Sequence, residues 1–155
     1  MPSTTPNTDF FTGYTLTATQ LNRFPRGVMA FNTATTSDST ITGEEVQITG
    51  SSFTAVANRY YKITYSEPAM NFASGSTGNI IARIRLTNLA GVVQQQAYSW
   101  VFASSYDDMS CVAVTTLTAG TTNFIATLQS PSGTMQAARS ATQYAFLLVE
   151  DIGPA

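Results

Sequence analysis

Side chains that do covalent or metal chemistry are scarce in this chain. Histidine is absent, which removes the commonest general base and the commonest metal ligand together. No Ser–His–Asp or Cys–His device can then be assembled within one chain. A lone cysteine, Cys111, excludes an intrachain disulfide and a thiolate cluster. Lying at strand spacing between Met109 and Ala113, it reads as a small buried hydrophobe. The carboxylates form three adjacent pairs, Glu44-Glu45, Asp107-Asp108 and Glu150-Asp151. Neighbours in a strand point to opposite faces, so adjacency alone does not make an acid–base couple. Asp107-Asp108 would suit calcium only with more oxygen ligands than the sequence clusters there, and the pair reads as solvated loop acids. Gly75-Ser76-Thr77-Gly78 lacks the lysine and the strand–helix setting of a phosphate loop and reads as a turn. No catalytic residue, metal site or cofactor is expected, and the chain is not read as an enzyme. Tyr60, Tyr61, Tyr65, Tyr98 and Trp100 offer flat faces for sugar stacking, although core or interface contact is the commoner use of such residues.

The background against which these residues stand is uncharged. Charged side chains make up 10% of the 155 residues, against about 25% in an average soluble domain. Thr and Ser carry much of the polar share, as suits sheet faces where a β-branched residue fits the pleat and its hydroxyl meets water. So little charge leaves a surface with weak electrostatic defence against association. Net charge is −2, and the basic residues Arg23, Arg26, Arg59, Lys62, Arg83, Arg85 and Arg139 are scattered except for the pair in the Ile80–Leu86 run. No basic stripe is present to neutralise a row of phosphates, so nucleic acid is not an expected partner. No apolar run reaches membrane-spanning length, and no membrane partner is expected. The start, MPSTTPNTDFF, has no basic stretch followed by an apolar one, so the expectation is synthesis in a reducing cytosol without classical secretion.

Periodicity supplies the elements. Thr17 with Gln20 three residues on fits a capping box, which predicts one short helix from about Ala18 to Asn22, ended ahead of Pro25. Beyond Gly27 the pattern is β. Strands are predicted at Val28–Phe31, Glu45–Thr49 and Phe53–Val56, with Gly50-Ser51-Ser52 as a hairpin turn between the last two. Thr33–Gly43 and Pro68–Gly78 read as loops. Tyr60–Ser66 alternates, with Tyr61, Ile63 and Tyr65 on one face. Ile80–Thr87 alternates most cleanly, with Ile80, Ala82, Ile84 and Leu86 against Ile81, Arg83, Arg85 and Thr87. Val92–Ala103, Met109–Leu117, Asn123–Gln129 and a short edge strand at Thr134–Ala138 follow. Tyr144–Val149 is apolar on both faces, as for a strand in mid-sheet or at a subunit contact. Short strands with turn signals at this spacing imply an all-β, antiparallel sandwich of the jelly-roll or tumour-necrosis-factor-like (TNF-like) kind. The expected division is an extended N-terminal arm with one short helix, residues 1–25, and a sandwich, residues 26–155.

Two passages resemble known elements. Phe10-Phe11-Thr12-Gly13-Tyr14-Thr15-Leu16-Thr17-Ala18-Thr19-Gln20-Leu21-Asn22, followed by Pro25-Arg26-Gly27-Val28, resembles an N-terminal "LTAAQLN…PRG" element of tailed-bacteriophage structural proteins, with Thr19 where Ala is usual. Phe146-Leu147-Leu148-Val149-Glu150-Asp151-Ile152-Gly153-Pro154 resembles the last strand and "VEDxGP" tail of small β-sandwich domains in phages of actinobacteria, found in minor tail proteins and on capsid surfaces. The resemblance implies a virion structural protein made in the host cytoplasm: a capsid decoration (minor capsid) protein or a minor tail protein on the capsid or tail surface. Its partners would be the major capsid or tail proteins and further copies of itself, a homotrimer being the expectation by analogy of fold. Phe10, Phe11, Tyr14, Leu16, Leu21 and Arg26 are the expected attachment residues, because exposed aromatics contribute most at interfaces. The competing expectation is a receptor- or glycan-binding fibre head that meets a host surface glycan through Thr33–Gly43, Phe72–Gly78 and Ser104–Asp108.

Overall fold

Alternation in the sequence becomes alternation of burial across two facing sheets. The computed structural model describes residues 13, 15, 17–72, 77–103 and 105–155. Helix α1 (Ala18–Leu21) precedes strands β1 (Gly27–Ala34), β2 (Asp38–Ile41), β3 (Glu45–Thr49), β4 (Phe53–Ala55), β5 (Arg59–Phe72) and β6 (Gly78–Leu86). Then come β7 (Val93–Val101), β8 (Asp107–Thr116), β9 (Gly120–Thr122), β10 (Phe124–Gln129), β11 (Met135–Ala137) and β12 (Ala145–Pro154). One sheet runs β1-β12-β5-β8, and β11 and β2 extend it alongside the far end of β5, beyond β12. The other runs β3-β10-β6-β7, and β4 pairs with β9 in a small ribbon. Every pairing is antiparallel. The eight main strands divide between the sheets in the interleaved order of a jelly roll, β1, β5, β8 and β12 against β3, β6, β7 and β10.

Strand β5 is the spine. It pairs with β8 on one side, and with β12 and then β11 on the other. Its residues Tyr61, Ile63 and Tyr65 point inward with Leu147 and Val149 of β12 and Cys111 and Ala113 of β8. They meet Ile80, Ala82 and Ile84 of β6 and Phe124, Ala126 and Leu128 of β10. This one apolar layer between sheets supplies the main stabilisation. The sandwich is closed along both edges, where β7 lies against β8 and β1 against β3.

The predicted sandwich and the capped helix are present, and several local expectations are corrected. Gly50-Ser51-Ser52 is not a hairpin turn: β3 pairs with β10 and β4 with β9, and the Gly50 amide donates to the Phe124 carbonyl. The loop Thr33–Gly43 contains β2, a polar strand that forms because β11 lies beside it. For the same reason Thr134–Ala138 is no edge strand, since β11 lies between β5 and β2. Strand β5 continues through Pro68, where a register shift between Glu67 and Met70 accommodates the missing donor. Asp107-Asp108 is no loop tip, because both residues open β8. Between β6 and β7, Gly91 is required by space, since a Cβ there would run into the Leu86 carbonyl oxygen.

Candidate assembly surfaces

The two sheets finish their outer faces differently. On the β1-β12-β5-β8 sheet, register places Phe31, Leu148, Thr64 and Val112 in one row across four strands. At about 4.8 Å between strands the row is roughly 14 Å long. The next row along the strands is Val28, Glu150, Lys62 and Val114, its central ion pair at 3.5 Å flanked by two valines. Phe146 lies beside this patch with its ring 6.0 Å from that of Phe31, and Tyr60 and Ile152 continue it toward one end. Val28 is 62% and Val114 58% exposed, values out of keeping with large apolar residues gathered in one place on a solitary domain. Within the row the Thr64 hydroxyl is buried and has no hydrogen-bond partner among the described residues.

On the opposite sheet the charged groups of the outer face satisfy one another. Glu44, just before β3, accepts from Arg85 at 2.6 and 2.8 Å and from the Thr127 hydroxyl at 2.7 Å, with Arg83 at 3.2 Å. Arg83 also donates to Gln129 at 2.7 Å and Gln96 at 3.2 Å, and Gln96 donates to the Tyr98 hydroxyl at 3.0 Å. The Arg85 hydrogen bonds hold the Glu44 carboxyl below the usual carboxylate range, against the opposing effect of burial. Burial and the neighbouring Asp38 push Glu45 the other way.

The ends of the sandwich differ as well. At the start of β5, Arg59 is buried and forms a two-pronged pair with Asp151 of β12 at 2.5 and 2.7 Å. It also donates to the main-chain carbonyls of Asn22 and Phe24, both at 2.6 Å. Beyond β5's midpoint, a second buried pair joins Glu67 to Arg139 at 2.6 and 2.8 Å, with the Tyr65 hydroxyl donating to Glu67 at 2.7 Å. Burial foremost and then the Glu67 charge raise the Tyr65 phenol well above its usual range. Near this far end, Tyr98 and Trp100 of β7 and Phe102 and Tyr106 of the following loop are all more than half exposed. A cleft of about 390 Å³ lies beside Tyr106, lined by Pro68, Ala69, Asp107, Asp108, Ala138 and Gln143.

Of the expected attachment residues, Phe10, Phe11, Tyr14 and Leu16 lie outside the described residues. Leu21 is half exposed at the end of α1, and Arg26 is exposed with its guanidinium 3.5 Å from the Asn22 side-chain oxygen. Arg59 binds the carbonyls of Asn22 and Phe24, on the arm side of the expected boundary between residues 25 and 26. The five aromatics do not make one platform. Tyr61 and Tyr65 are core, Tyr60 lies on the apolar face, and Tyr98 and Trp100 lie on the other sheet. Asp107 accepts from the Ser99 hydroxyl and from the Asp108 amide, and no metal-binding group of acidic, His or Cys residues exists among the described residues. Cys111 is buried as expected, its thiol pushed up to about 11 by desolvation. Sequence reasoning missed Arg59, Asp151 and the Phe31–Val112 row; a lone Arg at the head of an alternating strand was the only local signal.

No known family model matches the chain, and no curated protein sequence does. Among solved structures it is similar to Eiger TNF from S. frugiperda, at 10% identity over 84% of this chain and 96% of that one, with a TM-score of 0.46. It is also similar to a chain of infectious bursal disease virus, Gx strain, at 17% identity and a TM-score of 0.41, covering 83% of this chain and 32% of that one. A third is the xylan-binding domain from Paenibacillus barcinonensis, at 11% identity and a TM-score of 0.34, covering 86% of this chain and 99% of the domain.

Proposed function

We propose that this chain is a virion structural subunit of a tailed phage, either a capsid decoration (minor capsid) protein or a minor tail protein. It self-associates as a homotrimer and joins the particle through its N-terminal segment. The observation that carries this reading is the apolar outer face of the β1-β12-β5-β8 sheet, where Phe31, Leu148 and Val112 fall in register and Val28 and Val114 flank them. Covering such a face with copies of itself removes it from water. The resemblance of the residue 10–28 and 146–154 passages supplies the phage context. Light scattering on the purified protein is expected to give three times the chain mass, and a monomer at micromolar concentration sinks the self-association. Antibody labelling is expected to decorate intact particles; clean particles would overturn the virion reading.

A second reading is favoured by the four exposed aromatics Tyr98, Trp100, Phe102 and Tyr106, which lie near the opposite end of β5 from the arm. A surface placed there is presented outward when the arm is attached, as a glycan- or receptor-binding head requires. Binding to a glycan array that disappears in Trp100→Ala supports it. Absence of binding by the intact oligomer removes it.

A further inference from the structure

A helix of four residues, α1, is far too short to persist on its own. Its first turn is held by the reciprocal Thr17–Gln20 box, with Gln20 donating its main-chain N–H to the Thr17 hydroxyl and the Thr17 N–H bonding the Gln20 side chain at 2.9 Å. Its last turn ends at Asn22, whose carbonyl has no partner within the helix. Arg59 supplies one, and its other terminal nitrogen takes the Phe24 carbonyl. Arg59 is itself aimed by Asp151, which receives both remaining guanidinium prongs and also the Gly153 amide at 3.0 Å. The two end passages singled out in the sequence therefore meet at one side chain, 37 residues from Asn22 and 92 from Asp151. Neither partner is exposed, with side-chain accessibilities of 4% and 0%.

We infer that Arg59 and Asp151 form a lock that fixes the direction in which the N-terminal segment leaves the sandwich, and that attachment depends on this lock as well as on the arm's own side chains. The guanidinium is suited to the task because its planar fork serves a carboxylate and two carbonyls at once, which an ammonium cannot. An arm held at its root meets its binding site without first losing the freedom of a swinging tether. The lock stands on the geometry alone; only its consequence for the particle rests on the attachment reading.

Arg59→Ala would strand a buried carboxylate, so the informative variant replaces the pair by apolar residues, Arg59→Met with Asp151→Leu. Trypsin reports on the arm root directly, because the exposed Arg23 lies between the two locked carbonyls and the exposed Arg26 two residues beyond them. Release of the N-terminal fragment from the full-length double variant is expected to quicken about tenfold while the sandwich stays intact, because cleavage follows the population of the open form. Arg59→Lys, which keeps the charge without the fork, is expected to fall between, and serves if the double variant does not fold. Unchanged cleavage in both overturns the lock. Incorporation of the double variant into particles, with every arm side chain present, is expected to drop about tenfold. Faster cleavage with normal incorporation overturns the dependence of attachment on the lock. Deleting residues 1–16 separates the two ideas, since normal incorporation of that truncation would defeat the attachment reading and leave the cleavage result standing.

Discussion

The outer faces of the two sheets are made from the same strand geometry and settled in opposite ways. On the β3-β10-β6-β7 sheet, Glu44, Arg83, Arg85, Thr127, Gln96 and Gln129 are joined into one network. On the β1-β12-β5-β8 sheet the corresponding positions are Phe31, Leu148, Val112 and Val114, with a single Lys62–Glu150 pair among them. The first face satisfies its charged groups internally and leaves Tyr98 and Trp100 exposed at one end. The second leaves apolar area uncovered, and under the proposed self-association most of the driving force would lie there. A protein with so few charges has placed five of them, Glu44, Arg83, Arg85, Lys62 and Glu150, on these two faces, three on one and two on the other.

That contrast can be broken from either side. Val114→Asp with Val112→Asp is expected to weaken self-association by at least about 100-fold, roughly 2.7 kcal/mol, read by light scattering across a dilution series. Because both side chains already face water, the thermal midpoint of the dissociated chain should hardly move. A trimer that survives the change would place the interface elsewhere. On the other face, Arg85→Ala is expected to cost the fold about 1–3 kcal/mol by removing both Arg85 hydrogen bonds to Glu44 and the one to the Gly91 carbonyl, with oligomeric mass unchanged at equal folded concentration. Loss of oligomer without loss of stability would reverse the roles assigned to the faces.

The acid limb of the stability curve sharpens the comparison. Glu44 titrates below its ordinary value of 4.5 in the fold, so its contribution is present above that value and is lost as pH falls below it. Glu44→Gln should lower stability at pH 7 and flatten the loss that sets in as pH falls below about 4.5. Glu45 has the opposite sign. Its carboxyl is raised by burial, so the stabilising neutral form is present at low pH and lost as pH rises through the raised value. Glu45→Gln is then expected to stabilise the neutral-pH fold by a few tenths of a kcal/mol. Thr64→Val gives the last test: removing a buried hydroxyl that lacks a partner among the described residues should stabilise the chain by up to about 1 kcal/mol and leave association intact or tighter.

What could be read from the sequence was what is local. Tyr60–Ser66 and Ile80–Thr87 declare their strands because period-two alternation is a property of neighbours, and Thr17 with Gln20 declares the helix start for the same reason. Strands β2 and β9 were silent, and β11 was legible as a strand but not as one with a neighbour on each side: each is short, and each exists because a partner far along the chain offers it a ladder. Alternation also shows that a strand has two faces without showing which is covered. Arg83 and Arg85 were visible as a pair, but Glu44 and Gln129 join them only through registers set 41 and 46 residues away. Asp151 looked like one member of an acidic tail pair until the fold brought it to Arg59.

Strand β12 has a consequence for how the protein is made. It follows every other described strand in sequence, yet it is inserted between β1 and β5, the first and the fifth of them. While a ribosome is still at work, β1 has no neighbour on that side, Arg59 has no carboxylate, and Leu148 is missing from the apolar row. Long-range pairing of this kind forms late and slowly. A chain without β12 therefore lacks Leu148 in the apolar row and the carboxylate that holds Arg59.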